Sequence, residues 1–247
     1  MLENIADNAG RDKAIEELLA NLPTDTTIEV ELPSECRIYN LEDPGAPITL
    51  RPMNFEDEKV IVNAKKNQDP TNIILERCLS NVHVHELLSM DKLYLLMKLR
   101  EISYGDDYKV NLICPACKAE NPTTVKLSQL NVNPVPDDFT DPVEVMLPGL
   151  QKTAKIKRPR VKDEKLFTDG GNMLDQLWRF VIELGGHTDK AVIAQVVERL
   201  PIKDSRTILN AMKTDYGVDT HVKFGCNECG EVSVVDLPID ANFFDVN

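Results

Sequence analysis

Apolar residues alternate with mostly charged ones in two short stretches more than a hundred positions apart, Ile28-Glu29-Val30-Glu31-Leu32-Pro33 and Val143-Glu144-Val145-Met146-Leu147-Pro148. Period-two alternation predicts a half-buried strand over residues 27–32 and 143–147, and a proline ends each because it cannot continue a central ladder. A second strand is expected in each region, over residues 48–50 and 154–156, running into Arg51-Pro52 and Arg158-Pro159. Asp57-Glu58-Lys59 and Asp163-Glu164-Lys165 then stand where a helix begins, with acids against the positive end of its dipole. Farther on, the period becomes helical. Leu93, Leu96, Met97 and Arg100 mark one face of a helix over residues 90–102, and Leu174, Leu177, Trp178, Val181 and Ile182 fall on the spacing of another. Gly185-Gly186 is expected to end that helix and Thr188 to cap the next, which buries Val192, Ile193, Val196, Val197 and Leu200.

Both regions close alike. A Tyr-Gly turn leads a strand into Cys-x-x-Cys, and a second strand returns over residues 124–127 or 231–237, a hairpin with a cysteine knuckle at its tip. Five matching motifs recur in one order at offsets of 106 to 115 residues, ending with Tyr104-Gly105 on Tyr216-Gly217 and Cys114-x-x-Cys117 on Cys226-x-x-Cys229. Such a run predicts an internal duplication. The expected fold class is α+β, with a strand pair, helices and a Cys-x-x-Cys hairpin in each unit and the two hairpins forming one shared zinc-ribbon-like site. The units are residues 27–130 and 142–247. Residues 131–141, rich in proline and aspartate, read as a linker, and residues 1–26 as an acidic segment. A short helix over residues 12–22 carries Ile15, Leu18 and Leu19 on one side and is expected to pack on the body.

The chain of 247 residues is 42% hydrophobic, enough to bury a core, and carries a formal net charge of -13. That charge repels phosphate backbones, so nucleic acid is a poor partner. No stretch has the roughly 18 apolar residues of a membrane span, and the first ten residues do not read as a secretory signal. Four of the six cysteines form the two knuckles; Cys36 and Cys78 stand alone and read as small buried side chains. Two knuckles present four thiolates tetrahedrally, so Cys114, Cys117, Cys226 and Cys229 are expected to hold one structural Zn²⁺, a closed shell with no open position for substrate. A redox pair would sit at a helix start rather than between strands, and ferredoxin spacings are absent. No phosphate loop or catalytic serine motif occurs, and His85-Glu86-Leu87-Leu88-Ser89 lacks the second histidine of a metalloprotease helix, so no enzyme is expected. Lys155, Lys157, Arg158 and Arg160, with Lys162 and Lys165, form one basic cluster. This cluster and the face of Ile15, Leu18 and Leu19 are the expected partner surfaces.

The run from Arg51 to Lys59, the run from Met90 to Gly105, and Cys114-Pro-Ala-Cys117 resemble the T4-type bacteriophage baseplate protein family, with a looser likeness through residues 158–165 and 226–229. The resemblance implies a hub subunit or hub assembly factor of contractile tails, in the virion tail baseplate or in the host cytoplasm during assembly. It implies tail-hub and tape-measure proteins as partners, self-association as a further option, and no catalytic residues. A zinc-ribbon nucleic-acid-associated protein and a Cys-x-x-Cys redox protein stand as alternatives.

Overall fold

The computed structural model describes residues 3–20, 26–63, 69–168, 172–239 and 241–244. Helix α1 (Glu3–Leu19) comes first. Strands β1 (Ile28–Glu29) and β2 (Thr49–Leu50), helices α2 (Phe55–Val62) and α3 (Pro70–Cys78), and strand β3 (Leu79–Ser80) follow, the strands forming a three-stranded antiparallel sheet in the order β1-β2-β3. Asn54 caps α2 through its side chain, and Asp57, three residues on, accepts the Asn54 backbone N–H at 3.0 Å. This reciprocal cap satisfies amide groups that a helix start leaves orphaned, and it explains why an Asp belongs in the Asp-Glu-Lys motif.

Helix α4 (Ser89–Tyr104) is wrapped by the rest of the chain, burying Leu95, Leu96, Met97 and Leu99 together with Asp91, Lys92 and Arg100. Each buried leucine contributes about 1.5–3 kcal/mol. Gly105, at φ 95°, ends the helix and turns the chain into the hairpin of β4 (Asp107–Ile113) and β5 (Glu120–Lys126). Strand β6 (Val132–Asn133) follows, so the proline-rich 131–141 segment is a packed connection, with Val135 buried and Arg37 donating to the Pro136 carbonyl at 3.0 Å.

A second three-stranded antiparallel sheet, in the order β7-β8-β9, is built from β7 (Val143–Leu147), β8 (Lys152–Ile156) and, after the short helix α5 (Lys165–Thr168), β9 (Val181–Leu184). Helices α6 (Lys190–Val197) and α7 (Ile202–Ala211) cover it, with Ile193 and Ile208 in its core. Asp204, fully buried, accepts the Gly149 and Leu150 N–H groups at 2.5 and 2.8 Å and ties α7 to the turn between β7 and β8. Strand β10 (Gly217–Val218) pairs with β6, and β11 (His221–Gly225) with β12 (Val232–Asp236) forms the second knuckle hairpin.

Three expectations are corrected. The stripe from Leu174 to Ile182 is not a helix: Leu177–Arg179 form a single 3₁₀ turn, Val181–Leu184 add to the sheet beside β8, and Leu174 is exposed. Apolar residues at helical spacing also fit one tight turn followed by a strand, and sheet pairing decides between them. Gly185 and Gly186 accordingly make the turn after β9, both at positive φ. Asp189, not Thr188, caps α6, accepting the Ala191 and Val192 N–H groups, and Val192 is exposed. Lastly, α1 does not pack on the body. Every residue from 10 to 20 is exposed, Leu18 at 80%, and Leu22 lies outside the described residues.

The two regions are joined through α4. Lys92 bridges Asp69 at 2.8 Å and Glu164 at 2.9 Å, and Asp91, fully buried, accepts from Ser34 N–H, the Tyr39 hydroxyl and the Tyr216 hydroxyl. Gly217 makes the approach possible, since a Cβ there would stand 3.1 Å from the Met90 side chain. Val218, Leu237, Phe243 and Phe244 complete the core around α4, and the Phe243 carbonyl accepts from Arg100 at 2.7 Å.

Candidate metal centre

The knuckles are built identically from backbone hydrogen bonds. Cys114 N–H donates to the Ala119 carbonyl at 3.0 Å and Lys118 N–H to the Cys114 carbonyl at 2.9 Å; Cys226 N–H donates to Glu231 at 2.8 Å and Gly230 N–H to Cys226 at 3.0 Å. Lys118 and Gly230 both adopt positive φ, 64° and 73°, which reverses the chain within the loop. The first cysteine of each pair is buried and the second exposed.

The hairpins pack face to face over a small core of Leu112 and Phe224 with Cys114 and Cys226. This contact brings all four Sγ atoms within 4.8 Å of one another. Cys114 Sγ is 3.8 Å from Cys229 Sγ and Cys117 Sγ is 3.6 Å from Cys226 Sγ, so each close pair joins one hairpin to the other. Disulfide sulfurs stand about 2.05 Å apart, whereas thiolates about 2.3 Å from a tetrahedral ion are separated by about 3.8 Å. The spacing fits a shared metal, which all four residues together can hold. The Cys229 amide draws the Cys226 thiol down to about 6 against the effect of burial. Although the Glu231 amide favours its thiolate, Cys229 is pushed up to about 12 by Cys117 and by burial. Crowded thiols resist a second negative charge, and a divalent cation removes that resistance.

Asn121 was not legible as part of this site. It is 1% exposed. From the first hairpin its Nδ2 donates to the Ala119 carbonyl at 3.0 Å and lies 3.6 Å from Cys226 Sγ, while its Oδ1 accepts the Asn227 N–H at 2.8 Å. One side chain thus clamps the opposite knuckle and contacts the Cys226 thiol, and lone-asparagine spacing in a sequence signals neither. Asn121→Ala is expected to weaken metal retention about 10–100-fold, the usual effect of losing a partner that orients a ligand. Competition against a chromophoric chelator measures this; unchanged retention would remove Asn121 from the site.

The chain matches the family described as T4 bacteriophage base plate protein over residues 26–245. It belongs to that family. No curated protein and no solved structure matches it significantly. No described helix is long and apolar enough to cross a membrane.

On this baseplate protein the basic cluster divides. Arg158 and Arg160 turn inward onto Asp141, whose side chain is 2% exposed: Arg158 N–H donates to it at 2.8 Å, and the Arg160 guanidinium forms a direct ion pair. Arg158 also donates to the Thr140 carbonyl and lies 4.4 Å from the Phe139 ring centroid. Both arginines, expected at a partner surface, are thus engaged largely within the chain. Reversing their charge would strand a buried carboxylate and disturb the fold. Lys155 is exposed enough to contact a partner but pairs with Glu183 at 2.8 Å, and Lys157 lies half-buried, 5.5 Å from the Phe180 ring. Ile15, Leu18 and Leu19 are all exposed on α1. Cys78 is buried and its thiol is pushed up to about 11, chiefly by burial, whereas Cys36 is half-buried. Neither belongs to the four-cysteine cluster.

Proposed function

We propose that the protein is a structural or assembly component of the baseplate hub of a contractile tail, acting by protein–protein contacts and stabilised by one Zn²⁺ on Cys114, Cys117, Cys226 and Cys229. Membership of the baseplate family across residues 26–245 carries the reading. The closed set of four sulfurs adds to it, because a site with no open coordination position staples a fold and does not turn over substrate. Hub and tape-measure proteins are the proposed partners, with the tail baseplate as the site of action and the host cytoplasm during assembly.

We infer too that residues 27–130 and 142–247 descend from one duplicated unit joined by residues 131–141. Supporting this are the shared strand order of the two sheets, the equivalent Tyr-Gly turns and the matching knuckle bonds. Asp163 likewise repeats the cap of Asp57, accepting the Arg160 N–H at 2.9 Å. In this reading the metal bonds unit to unit.

Co-purification from infected cells tests the function. The tagged chain is expected to retain hub or tape-measure proteins in near-stoichiometric amount. Recovery of nucleic acid, or of no tail protein at all, would overturn the proposal.

A further inference from the structure

Five cationic side chains from two separated stretches, Lys157, Lys162, Lys165, Arg179 and Lys190, line one open groove of about 550 Å³. Trp178 and Leu166 supply its apolar wall, and Asp163 is the one carboxylate among the described lining residues. The charges of Lys157, Lys162, Arg179 and Lys190 are only partly answered inside the chain. Lys162 reaches Glu86 at 2.6 Å, Lys157 comes no nearer to Asp163 than 4.0 Å, and Arg179 lies 4.7 Å from the Trp178 ring centroid. Lys190 donates to the Val181 carbonyl, and burial, together with the Lys157 charge, lowers its proton affinity. On a chain of net charge -13, such a concentration of positive charge calls for an anionic occupant.

The complementary surface lies on the same chain. Ile15, Leu18 and Leu19 share one face of α1, and Asp12, Glu16 and Glu17 flank them, all exposed. A helix of 17 residues whose Ile15, Leu18 and Leu19 are all exposed is marginal in water, so it gains from docking. Helix and groove are both open in one chain, so neither satisfies the other within it.

Building on the reading that this protein acts by presenting surface, we propose that the acidic N-terminal helix of one copy docks into the basic groove of a second copy. Ile15, Leu18 and Leu19 lie on Trp178 and Leu166, and the helix carboxylates face the groove cations. The contact is head-to-tail, so repetition yields a ring or a short filament. A helix about 25 Å long covers less than the roughly 800 Å² per partner of a standard interface, so each contact is weak and concentration-dependent.

Sedimentation velocity of the full chain over a range of concentrations tests this, in low and in high salt. Association is expected at low salt and should weaken about tenfold or more in high salt, because the contact is between exposed charges. Lys162→Glu with Arg179→Glu, at exposed positions, should abolish it, and so should Glu16→Lys with Glu17→Lys. Circular dichroism and metal content check that both variants fold. Mixing the two variants should restore association, since each then offers the other a complementary surface. A monomer at every concentration, persistence of association in either variant, or a mixture that stays monomeric would overturn the docking. If the monomeric chain still retains tail proteins, the docking fails and the functional reading stands. If it associates as described but retains no tail protein, the reverse holds.

Discussion

Chain carrying Cys114→Ser is expected to lose the proposed zinc and to melt roughly 10 °C below the wild type. Ligand bound only by the folded state at about a thousand times its dissociation constant contributes about 4 kcal/mol, and a domain of this size loses about 2–4 °C per kcal/mol. The effect should be global, because the four thiols come from two hairpins separated by a long stretch of chain and sit on a small core whose buried members are Leu112, Phe224, Cys114 and Cys226. A chelator should reproduce the shift in the wild type and have no effect on the variant. Scanning calorimetry with elemental analysis gives both readings. Unchanged metal content and melting temperature in the variant would remove Cys114 from the site, and two zinc ions per chain would refute a shared centre.

The next largest effect is expected at Asp57, whose side chain is 0% exposed. It accepts from Arg51 at 2.7 and 3.2 Å, from Arg77 Nε at 2.6 Å and from the Asn54 N–H. Asp57→Ala removes the anion, leaves two guanidiniums side by side and takes away the reciprocal half of the α2 cap, while the Asn54 side chain still caps the helix. Removing one partner of a buried ion pair costs about 3–5 kcal/mol; both arginines retain access to water, which places this case near about 3 kcal/mol. The melting temperature should fall by roughly 6–12 °C. Burial alone would raise the Asp57 carboxyl, but the hydrogen bonds from Arg51 and Arg77 outweigh it and hold the group well below the usual carboxylate range. A depressed folded value means that the stabilisation is fully present above the unfolded value of about 3.9 and is lost as pH falls below it. Wild type should therefore lose stability on acidification below about pH 4 more steeply than Asp57→Ala. Parallel acid limbs would assign the stabilisation elsewhere.

Much of the chemistry was legible because it is local. A Cys-x-x-Cys between two strands specifies a knuckle, and both knuckles formed where the spacing placed them. Helix α4 carries apolar residues at helical spacing and a terminating glycine, so its extent followed from nearby residues, although its burial on nearly every side did not. The β7–β8 hairpin was readable for the same reason, with a proline directly after the first strand.

Residues 174–182 show where local information runs out. Val181 and Ile182 suit a strand as well as a helix, and the choice fell to β8, which offered an unpaired edge. Arg158 and Arg160 look like exposed cations until Asp141, well upstream, is folded beneath them. The sequence by itself determined the hairpins, the cysteine knuckles at their tips and the acidic surface, all set by interactions within a few residues. Only the tertiary structure decided that four thiols meet at one point, that Asn121 bridges the knuckles, and that cations from residues 157–165 and 178–190 share a groove. Each of these joins positions far apart in the chain, and their meeting depends on which apolar faces pack together, which no local pattern encodes.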